Sequence, residues 1–579
     1  MEFESQNDPA VVGTGGARGK RFPNSARSGF ARAKAFLRAE SEATGLPLGT
    51  LLTVAVTIHV IVLFLAVNPW HLDEHFQILE FAWARAGLAP TAALPWEFAA
   101  QIRPASQPML AMGLLKALRA LGVTSPFPWM LCLRLGTLAA SLGVVLWVIA
   151  RISPKLDRRG RQVLWLTGPF LWFAPLFMFR FTSENLAGLA LVAALPLLEA
   201  RTRNRTSEWW VGGLLGLSFV FRFQMAFSIV ALLLWVTIYR PRGLRDAARI
   251  GAVAAIVVGA SSLVDAWFYG EWVFTPWLYV RANLLEGMAS SFGTSPVYSY
   301  FIGAPLLMAP PLSLVLLVLV GAGLAFHRQS VWTWAFAAFL VGHMLIPHKE
   351  VRFLLPLLYL VPVLAARGAE ILAGRGPLKG WRRAVMWSVA LQNITLALVL
   401  ATPTPHRNAG HDAHYMRWLW DVADRQQGKI IYVLLDGGNP YLREPLEANV
   451  YRHPRVRGIA HEPGSPIPRE VPPGTPPDRL LLLTRGSTSS SVAGADVDLS
   501  YVAEPGYTVM ARLIGLDDTW PIRWLEDVAG WTGSTETRRV YQVSRQESQP
   551  GGPIHISSTH LSTETGQLHR YFGPYPTPS

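Results

Sequence analysis

The sequence predicts a polytopic α-helical membrane protein followed by a small soluble domain. Of its 579 residues, 51% are hydrophobic and only 16% are charged, and the mean hydropathy is +0.27. Apolar runs that are long enough, or nearly long enough, to cross a bilayer recur between residues 51 and 401. After Thr402 the composition becomes polar and rich in proline and glycine. These features exclude an ordinary soluble enzyme.

About eleven spans are expected from the apolar runs. Two of the runs are short, and together they could form one kinked helix or a re-entrant pair. The runs are 51–70, 126–150, 163–179, 184–200, 209–221, 223–239, 250–267, 299–325, 331–347, 351–368 and 384–401, and the short ones are 209–221 and 223–239.

The runs divide the chain into four parts. Residues 1–46 form a basic N-terminal segment, expected to be cytoplasmic and to precede a retained anchor rather than a cleaved signal. The transmembrane domain is 47–402, and within it 71–125 is a large outer loop. Residues 403–546 are expected to form an outward-facing α/β or mostly β domain, with strand-like runs at 430–435, 480–484, 509–514 and 540–543. The tail, 547–579, has the composition of a disordered segment.

The formal net charge of +14 comes from short basic clusters between the apolar runs. That placement is typical of cytoplasmic loops and not of a nucleic-acid surface. With eleven spans, five basic loops fall on the side of the N-terminus. The outward loops are then 71–125, 180–183, the junction at Arg222, 268–298 and 348–352. The lone cysteine, Cys132, excludes an internal disulfide and a thiolate zinc cage.

The first candidate site follows the first apolar run. Asp73 and Glu74 stand where ionisable groups are costly, and an outward carboxylate there can act as a general base. Asp73 is the candidate base and Glu74 the second carboxylate; the alternative is an acidic helix N-terminus. His71 and His75 could share a metal, but Leu72 stands where the zinc-protease signature needs glutamate.

Two further groups lie in the outward loops. His348, Lys349 and Arg352 could bind and neutralise a phosphate in the headgroup layer, or the cations could simply extend from a helix end towards water. The aromatic loop 265–298 could stack a sugar ring, or it could be an interfacial hairpin.

The residues of these groups resemble, in order and spacing, glycosyltransferase family 22, the dolichyl-phosphate-mannose-dependent mannosyltransferases of GPI-anchor and lipid-linked oligosaccharide assembly. The likeness covers about residues 50 to 370. The matching motifs are His71-Leu-Asp-Glu-His-Phe-Gln77, Pro95-Trp-Glu-Phe98 with Arg103, Asp265 with Tyr269-Gly-Glu-Trp272 and Thr275-Pro-Trp277, Phe292-Gly293, and His348-Lys-Glu-Val-Arg-Phe353.

The resemblance implies a GT-C fold and an inverting transfer of mannose from a polyprenyl (dolichyl) phosphate to a lipid-linked glycan or GPI-type glycolipid, with no metal or other cofactor. It places the active site on the lumenal or periplasmic side of the endoplasmic reticulum or bacterial inner membrane. Asp73 and Glu74 would be catalytic. The expected donor-phosphate and substrate-binding residues are His71, Trp96, Glu97, Arg103, Asp265, Tyr269, Trp277, Asn283, His348, Lys349, Glu350 and Arg352.

Two other functions remain open from the sequence. A GT-C enzyme could use another polyprenyl-phosphate sugar. A lipid or solute transporter would instead place charges near the membrane midplane, whereas here Arg134 is the clearest charge well inside a span and most of the others cluster at the outer ends.

Overall fold

The computed structural model describes most of the transmembrane part of the chain and selected segments beyond it. The described residues are 35–65, 72–200, 205–307, 310–372, 380–401, 413–425, 430–436, 442–443, 446–447, 449–461, 480–486, 501–502, 533–535, 537–543 and 569–571.

Every apolar run predicted to span contains helix. The helices are Leu48–Leu65, Pro126–Ile152, Arg158–Thr167, Ala174–Phe177, Ser183–Glu199, Arg205–Phe221, Ala226–Tyr239, Gly243–Tyr269, Ser299–Leu307, Leu312–Phe326, Val331–Leu345, the 3₁₀ helix Val351–Tyr359, Val361–Leu372 and Trp381–Ala401. The predicted helical architecture is confirmed.

Continuous spans are fewer than the eleven runs suggest. Among the described residues, Pro126–Lys155 and Gly243–Tyr269 are each long and apolar enough to cross a membrane unbroken. The number reaches five at most if each of three sharply bent helix pairs crosses as a unit. Proline is one physical reason: the run 163–179 contains Pro169 and Pro175, and its helix stops at Thr167 and resumes at Ala174. A proline cannot donate the backbone hydrogen bond that continues a helix.

The two short runs are separate helices joined by a sharp turn. Arg222 between them has an extended backbone, with φ −154° and ψ 111°, and a 3₁₀ turn, Phe223–Met225, follows it. Arg222 therefore sits where one helix ends and the next begins.

Glycines allow two of the membrane helices to touch at the backbone. A Cβ added at Gly323 would lie 2.2 Å from the Leu364 carbonyl oxygen, and one at Gly368 would lie 1.9 Å from that of Leu319. Helices Leu312–Phe326 and Val361–Leu372 can pack this closely only because both positions lack a side chain.

Buried polar groups tie together the end of the bundle that carries the basic loops. The Glu40 carboxylate is fully buried and accepts hydrogen bonds from the Ser153 hydroxyl at 2.6 Å and the Trp165 indole at 2.8 Å. Glu199 pairs with Arg367 and, at 3.0 Å, with Lys155. The loops assigned to the cytoplasm from their charge thus lie together.

The outer loops form short helices. They are Leu72–Glu74, the π-helix His75–Leu79, Glu80–Arg85, Thr91–Ala93, Trp96–Ala99 and Ser106–Ala120 in the first loop, and Thr275–Val280, the π-helix Arg281–Leu285 and Met288–Ser291 in the later one.

The C-terminal part is an α/β unit. Helix Ala413–Arg425 precedes a five-stranded mixed sheet, in which Ile431–Asp436 runs parallel to Val456–His461 and Leu480–Gly486. Thr537–Val543 pairs antiparallel with Leu480–Gly486 and with Tyr501–Val502, and Gly533–Thr535 pairs with His569–Tyr571. A separate hairpin joins Leu442–Arg443 to Leu446–Glu447. The strand expected at 509–514 and most of the tail expected to be disordered lie outside the described residues.

Candidate active site

The segment after the first long helix carries the candidate base. Asp73 and Glu74 end the short helix Leu72–Glu74, and the π-helix His75–Leu79 follows directly. Single π-helical turns occur often at functional sites. His71 lies outside the described residues, so its expected role stays a prediction.

Asp73 meets Arg352 across 279 residues of sequence. A terminal nitrogen of the Arg352 guanidinium donates to Asp73 Oδ2 at 2.5 Å. The same guanidinium donates to both oxygens of Glu350, from Nε and, at 3.1 Å, from its other terminal nitrogen. Asp73 in the first outer loop and the motif 348–353 therefore lie at one site, as the sequence predicts.

His348 and Lys349 hold a neighbouring loop. The Lys349 ammonium donates to the backbone carbonyls of Ser295 at 2.9 Å and Ile346 at 2.7 Å. His348 Nδ1 lies 3.0 Å from the Gly293 carbonyl oxygen, and its Nε2 lies 2.9 Å from Glu350 Oε1. Burial lowers the pKa of Lys349 from its ordinary value. In this motif Arg352 reaches the base, while His348 and Lys349 fasten residues 293–295 beside it.

Glu74 points to a different environment from its neighbour. It is 2% exposed, and its carboxylate lies 3.7 Å from the guanidinium of Arg180, which is 4% exposed. Adjacent helical side chains diverge by about 100°. Asp73 therefore faces the cleft side with Arg352, whereas Glu74 belongs to a buried ion pair.

A cleft beside Asp73 encloses about 530 Å³, including its open mouth. Across it, the Arg222 guanidinium donates to Glu184 at 2.8 Å, and both side chains are buried. Phe353 lies between two arginines, with the Arg222 and Arg352 guanidinium carbons 5.3 and 5.1 Å from its ring centre. The lining residues are Asp73, Glu74, Gln77, Ile78, Arg103, Pro104, Gln107, Pro108, Thr182, Ser183, Glu184, Phe221, Arg222, Phe223, Gln224 and Tyr279.

The Trp-Glu motif builds one wall of the cleft through its glutamate. Glu97 is buried, accepts a hydrogen bond from the Gln77 amide at 3.1 Å and lies 3.6 Å from the Arg103 guanidinium. Arg103 also stacks over the Tyr279 ring at 5.9 Å. Burial lowers the pKa of Arg103, but the charges of Glu97 and Asp73 outweigh that effect and raise it above its ordinary value. Trp96 is 39% exposed.

Asp265 and Tyr269 support that wall from behind. The buried Asp265 carboxylate accepts hydrogen bonds from the Ala105 N–H and the Thr275 hydroxyl, both at 2.7 Å. The Tyr269 hydroxyl donates to the Arg103 carbonyl at 2.7 Å. Asp265 and Tyr269 each bond to the backbone of residues 103–105, so they fix the loop that carries Arg103, and Asp265 also ties this loop to Thr275.

Two expected sugar-binding residues stand apart from the cleft lining. Trp277 is 53% exposed, and the Asn283 amide donates to the Tyr279 carbonyl of its own helical segment at 3.1 Å. Composition alone could not separate a sugar platform from exposed aromatic surface.

Several cleft residues carried little signal in the sequence. In the sequence, Arg222 and Glu184 are only ionisable groups at the outer ends of apolar runs, and Gln107 and Gln224 carry no signal. Gln77 stands out only as the last residue of the motif that begins at His71. Among the residues that the structure describes, there is no cluster of three or more His, Cys, Asp or Glu side chains that could bind a metal ion. His75, weighed as a metal ligand with His71, has Nε2 2.8 Å from Glu80 Oε1.

Comparison with known proteins identifies the family. The sequence model of the Alg9-like mannosyltransferase family matches residues 50–413, which is more than half of the chain. The chain belongs to this family. The predicted resemblance is thereby confirmed, and the match includes both Asp73 and Arg352.

Individual relatives in the family and solved structures share about a third or less of their aligned residues with this chain. GPI mannosyltransferase 3 of Yarrowia lipolytica is 31% identical over 335 residues, covering 56% of this chain and 62% of the relative. A probable Dol-P-Man:Man(7)GlcNAc(2)-PP-Dol α-1,6-mannosyltransferase of Schizosaccharomyces pombe is 29% identical, covering 26% and 27%. The chain thus spans less than two thirds of either relative. ArnT from Cupriavidus metallidurans bound to undecaprenyl phosphate aligns with a TM-score of 0.47 and 11% identity, covering 87% of this chain and 99% of ArnT.

Proposed function

We propose that the protein is a GT-C membrane mannosyltransferase that moves mannose from a polyprenyl (dolichyl) phosphate to a lipid-linked glycan or GPI-type glycolipid. One observation carries the proposal: a carboxylate and a guanidinium from distant parts of the chain, Asp73 and Arg352, meet beside an open cleft. A single displacement at a sugar phosphate needs a base for the incoming hydroxyl and a cation for the departing phosphate.

The transfer takes one step. Asp73 accepts the proton of the acceptor hydroxyl while that oxygen bonds to the anomeric carbon of mannose. The bond from this carbon to the phosphate oxygen breaks, and its electron pair leaves with the polyprenyl phosphate. Attack from the opposite face inverts the centre, so a β-linked mannosyl phosphate gives an α-mannoside. Arg352 stabilises the departing phosphate, and no step calls for a metal.

Arg352 has a second effect in this scheme. Its guanidinium is paired with Asp73 in the structure, so the Asp73 Oδ2 faces Arg352 and is not directed at an incoming hydroxyl. A donor phosphate competes for the same guanidinium. Donor binding therefore frees Asp73 at the moment when a base is needed.

The names of the relatives and the charge pattern support the remaining parts of the proposal. The relative from Schizosaccharomyces pombe is named for a dolichyl-phosphate-mannose donor, and the one from Yarrowia lipolytica for GPI mannosylation. The basic loops lie at the end of the bundle away from the cleft, which supports a cleft on the lumenal or periplasmic face of the endoplasmic reticulum or bacterial inner membrane.

The test is transfer of labelled mannose by the purified protein. Dolichyl phosphate mannose is supplied with a panel of glycolipids and lipid-linked oligosaccharides, and the product linkage is read with α-specific mannosidases. We expect an α-mannoside on at least one acceptor, and none with the Asp73→Asn variant. Movement of lipid between leaflets without mannose transfer would show that the protein is a transporter and not a transferase. Transfer only from another polyprenyl-phosphate sugar would show that mannose is the wrong donor sugar.

A further inference from the structure

A C-terminal segment packs against the back of the helix that carries Asp73. We call 72–85 the base helix and 449–456 the backing segment. The backing segment lies between the first strand of the α/β unit and the strand Val456–His461. It also lies beyond residue 413, where the match to the family ends. The family comparison therefore says nothing of its role.

The first contact is a hydrogen bond to a buried carboxylate. The backbone N–H of Val450 donates to Glu80 Oε1 at 2.9 Å. The same oxygen lies 2.8 Å from His75 Nε2, and the His75 and Glu80 side chains are 0% and 1% exposed. The Glu80 carboxylate thus joins both ends of the π-helical turn to the backing segment.

The second contact is a stack of rings. The Tyr451 ring lies nearly parallel to His75, with centroids 5.2 Å apart and planes at 17°. Phe127 stacks on Tyr451 at 5.5 Å and 23°. Tyr451 is 2% exposed, so its ring is enclosed between the base helix and the start of helix Pro126–Ile152.

The third contact is apolar. Ile78, Leu79 and Trp83 of the base helix share one buried cluster with Val450 and Tyr451. Such a cluster excludes water and fixes both surfaces against each other. The side of the base helix away from the cleft is therefore held by a segment that lies 370 positions later in the chain, as measured from Glu80 to Val450.

We infer that the backing segment positions the catalytic base, with Tyr451 and the Val450 N–H as its positioning groups. The inference rests on the proposed role of Asp73. His75 is two residues from Asp73, so a rotation of the π-helical turn moves the base relative to Arg352. An error of about 1 Å in such a position costs roughly a hundredfold in rate without preventing substrate binding.

The experiment uses the full-length protein with four substitutions in the backing segment. Tyr451→Ala removes the ring, and Tyr451→Phe keeps it. Val450→Pro removes the donating N–H, and Val450→Ile keeps both the N–H and a branched apolar side chain in the cluster. We expect kcat for mannose transfer to fall at least tenfold in Tyr451→Ala and Val450→Pro, with the KM for dolichyl phosphate mannose within twofold of the wild type. The two matched controls should retain kcat within twofold.

Hydrogen–deuterium exchange supplies a readout that does not need activity. Amides of residues 72–85 should exchange faster in Tyr451→Ala, whereas amides of helix Arg158–Thr167, at the other end of the bundle, should be unchanged. If the wild type transfers no mannose, the proposed function fails while this readout still tests the contact. Unchanged exchange and kcat in Tyr451→Ala, or faster exchange throughout the protein, would overturn the positioning role.

Discussion

Replacing Asp73 by asparagine tests its role as the catalytic base separately from its contribution to stability. Asparagine has nearly the same shape and can still accept a hydrogen bond from Arg352, but it cannot take a proton at neutral pH. General-base catalysis contributes about 10²- to 10⁴-fold, or roughly 3–5 kcal/mol of barrier. The side chains of Asp73 and Arg352 are 30% and 13% exposed, so the lost ion pair should cost only about 1 kcal/mol of stability.

The assay compares initial rates of labelled mannose transfer with thermal unfolding in the same detergent. We expect kcat to fall by about 10²- to 10⁴-fold, with a melting temperature shift of a few degrees at most and normal insertion into the membrane. A rate within threefold of the wild type would remove Asp73 from the role of base. A large loss of stability would show that the ion pair holds the fold, and the magnitude reasoned from its exposure would be wrong.

Three other substitutions test neighbouring residues. Glu74→Gln should act on stability, because it removes the buried carboxylate charge that lies 3.7 Å from the buried Arg180 guanidinium; a loss of about 3–5 kcal/mol is expected in denaturant unfolding, and an unchanged midpoint would contradict the pairing. Arg352→Lys keeps the charge but loses the planar fork, so the KM for the donor should rise about tenfold and the KM for the acceptor should not; equal rises would indicate a structural role. Asp265→Ala leaves two buried donors unsatisfied at about 1–3 kcal/mol each, and a wild-type melting temperature would show that these hydrogen bonds contribute little.

The sequence predicts those parts of the fold that depend on local patterns of residues. Each predicted apolar run contains helix where the structure describes it, because a helix in lipid must be apolar over most of its length. The strand-like run at 480–484 lies within Leu480–Gly486, and the one at 430–435 nearly coincides with Ile431–Asp436. The number of unbroken spans was not accessible, since the bends of 66° to 117° between successive helices are seen only in the tertiary structure.

The site was accessible only in part. Asp73 and Arg352 were identified because ionisable groups at the mouths of spans are costly and therefore conspicuous. Lys349 was expected at a phosphate, yet its ammonium meets the carbonyls of Ser295 and Ile346. The sequence shows that a cation is present but not which backbone oxygens will surround it. Asp265 similarly meets backbone and a hydroxyl from two different segments.

By itself, the sequence determined the class of protein, its family and the pair of charged motifs that the site needs, since hydropathy and motif order are read along the chain. Only the tertiary structure decided that Glu74 pairs with the buried Arg180 while Asp73 meets Arg352, that Arg222 and Glu184 form the far wall of the cleft, and that Tyr451 lies behind the base helix. These outcomes depend on distances between residues far apart in the chain, and such distances are set by packing.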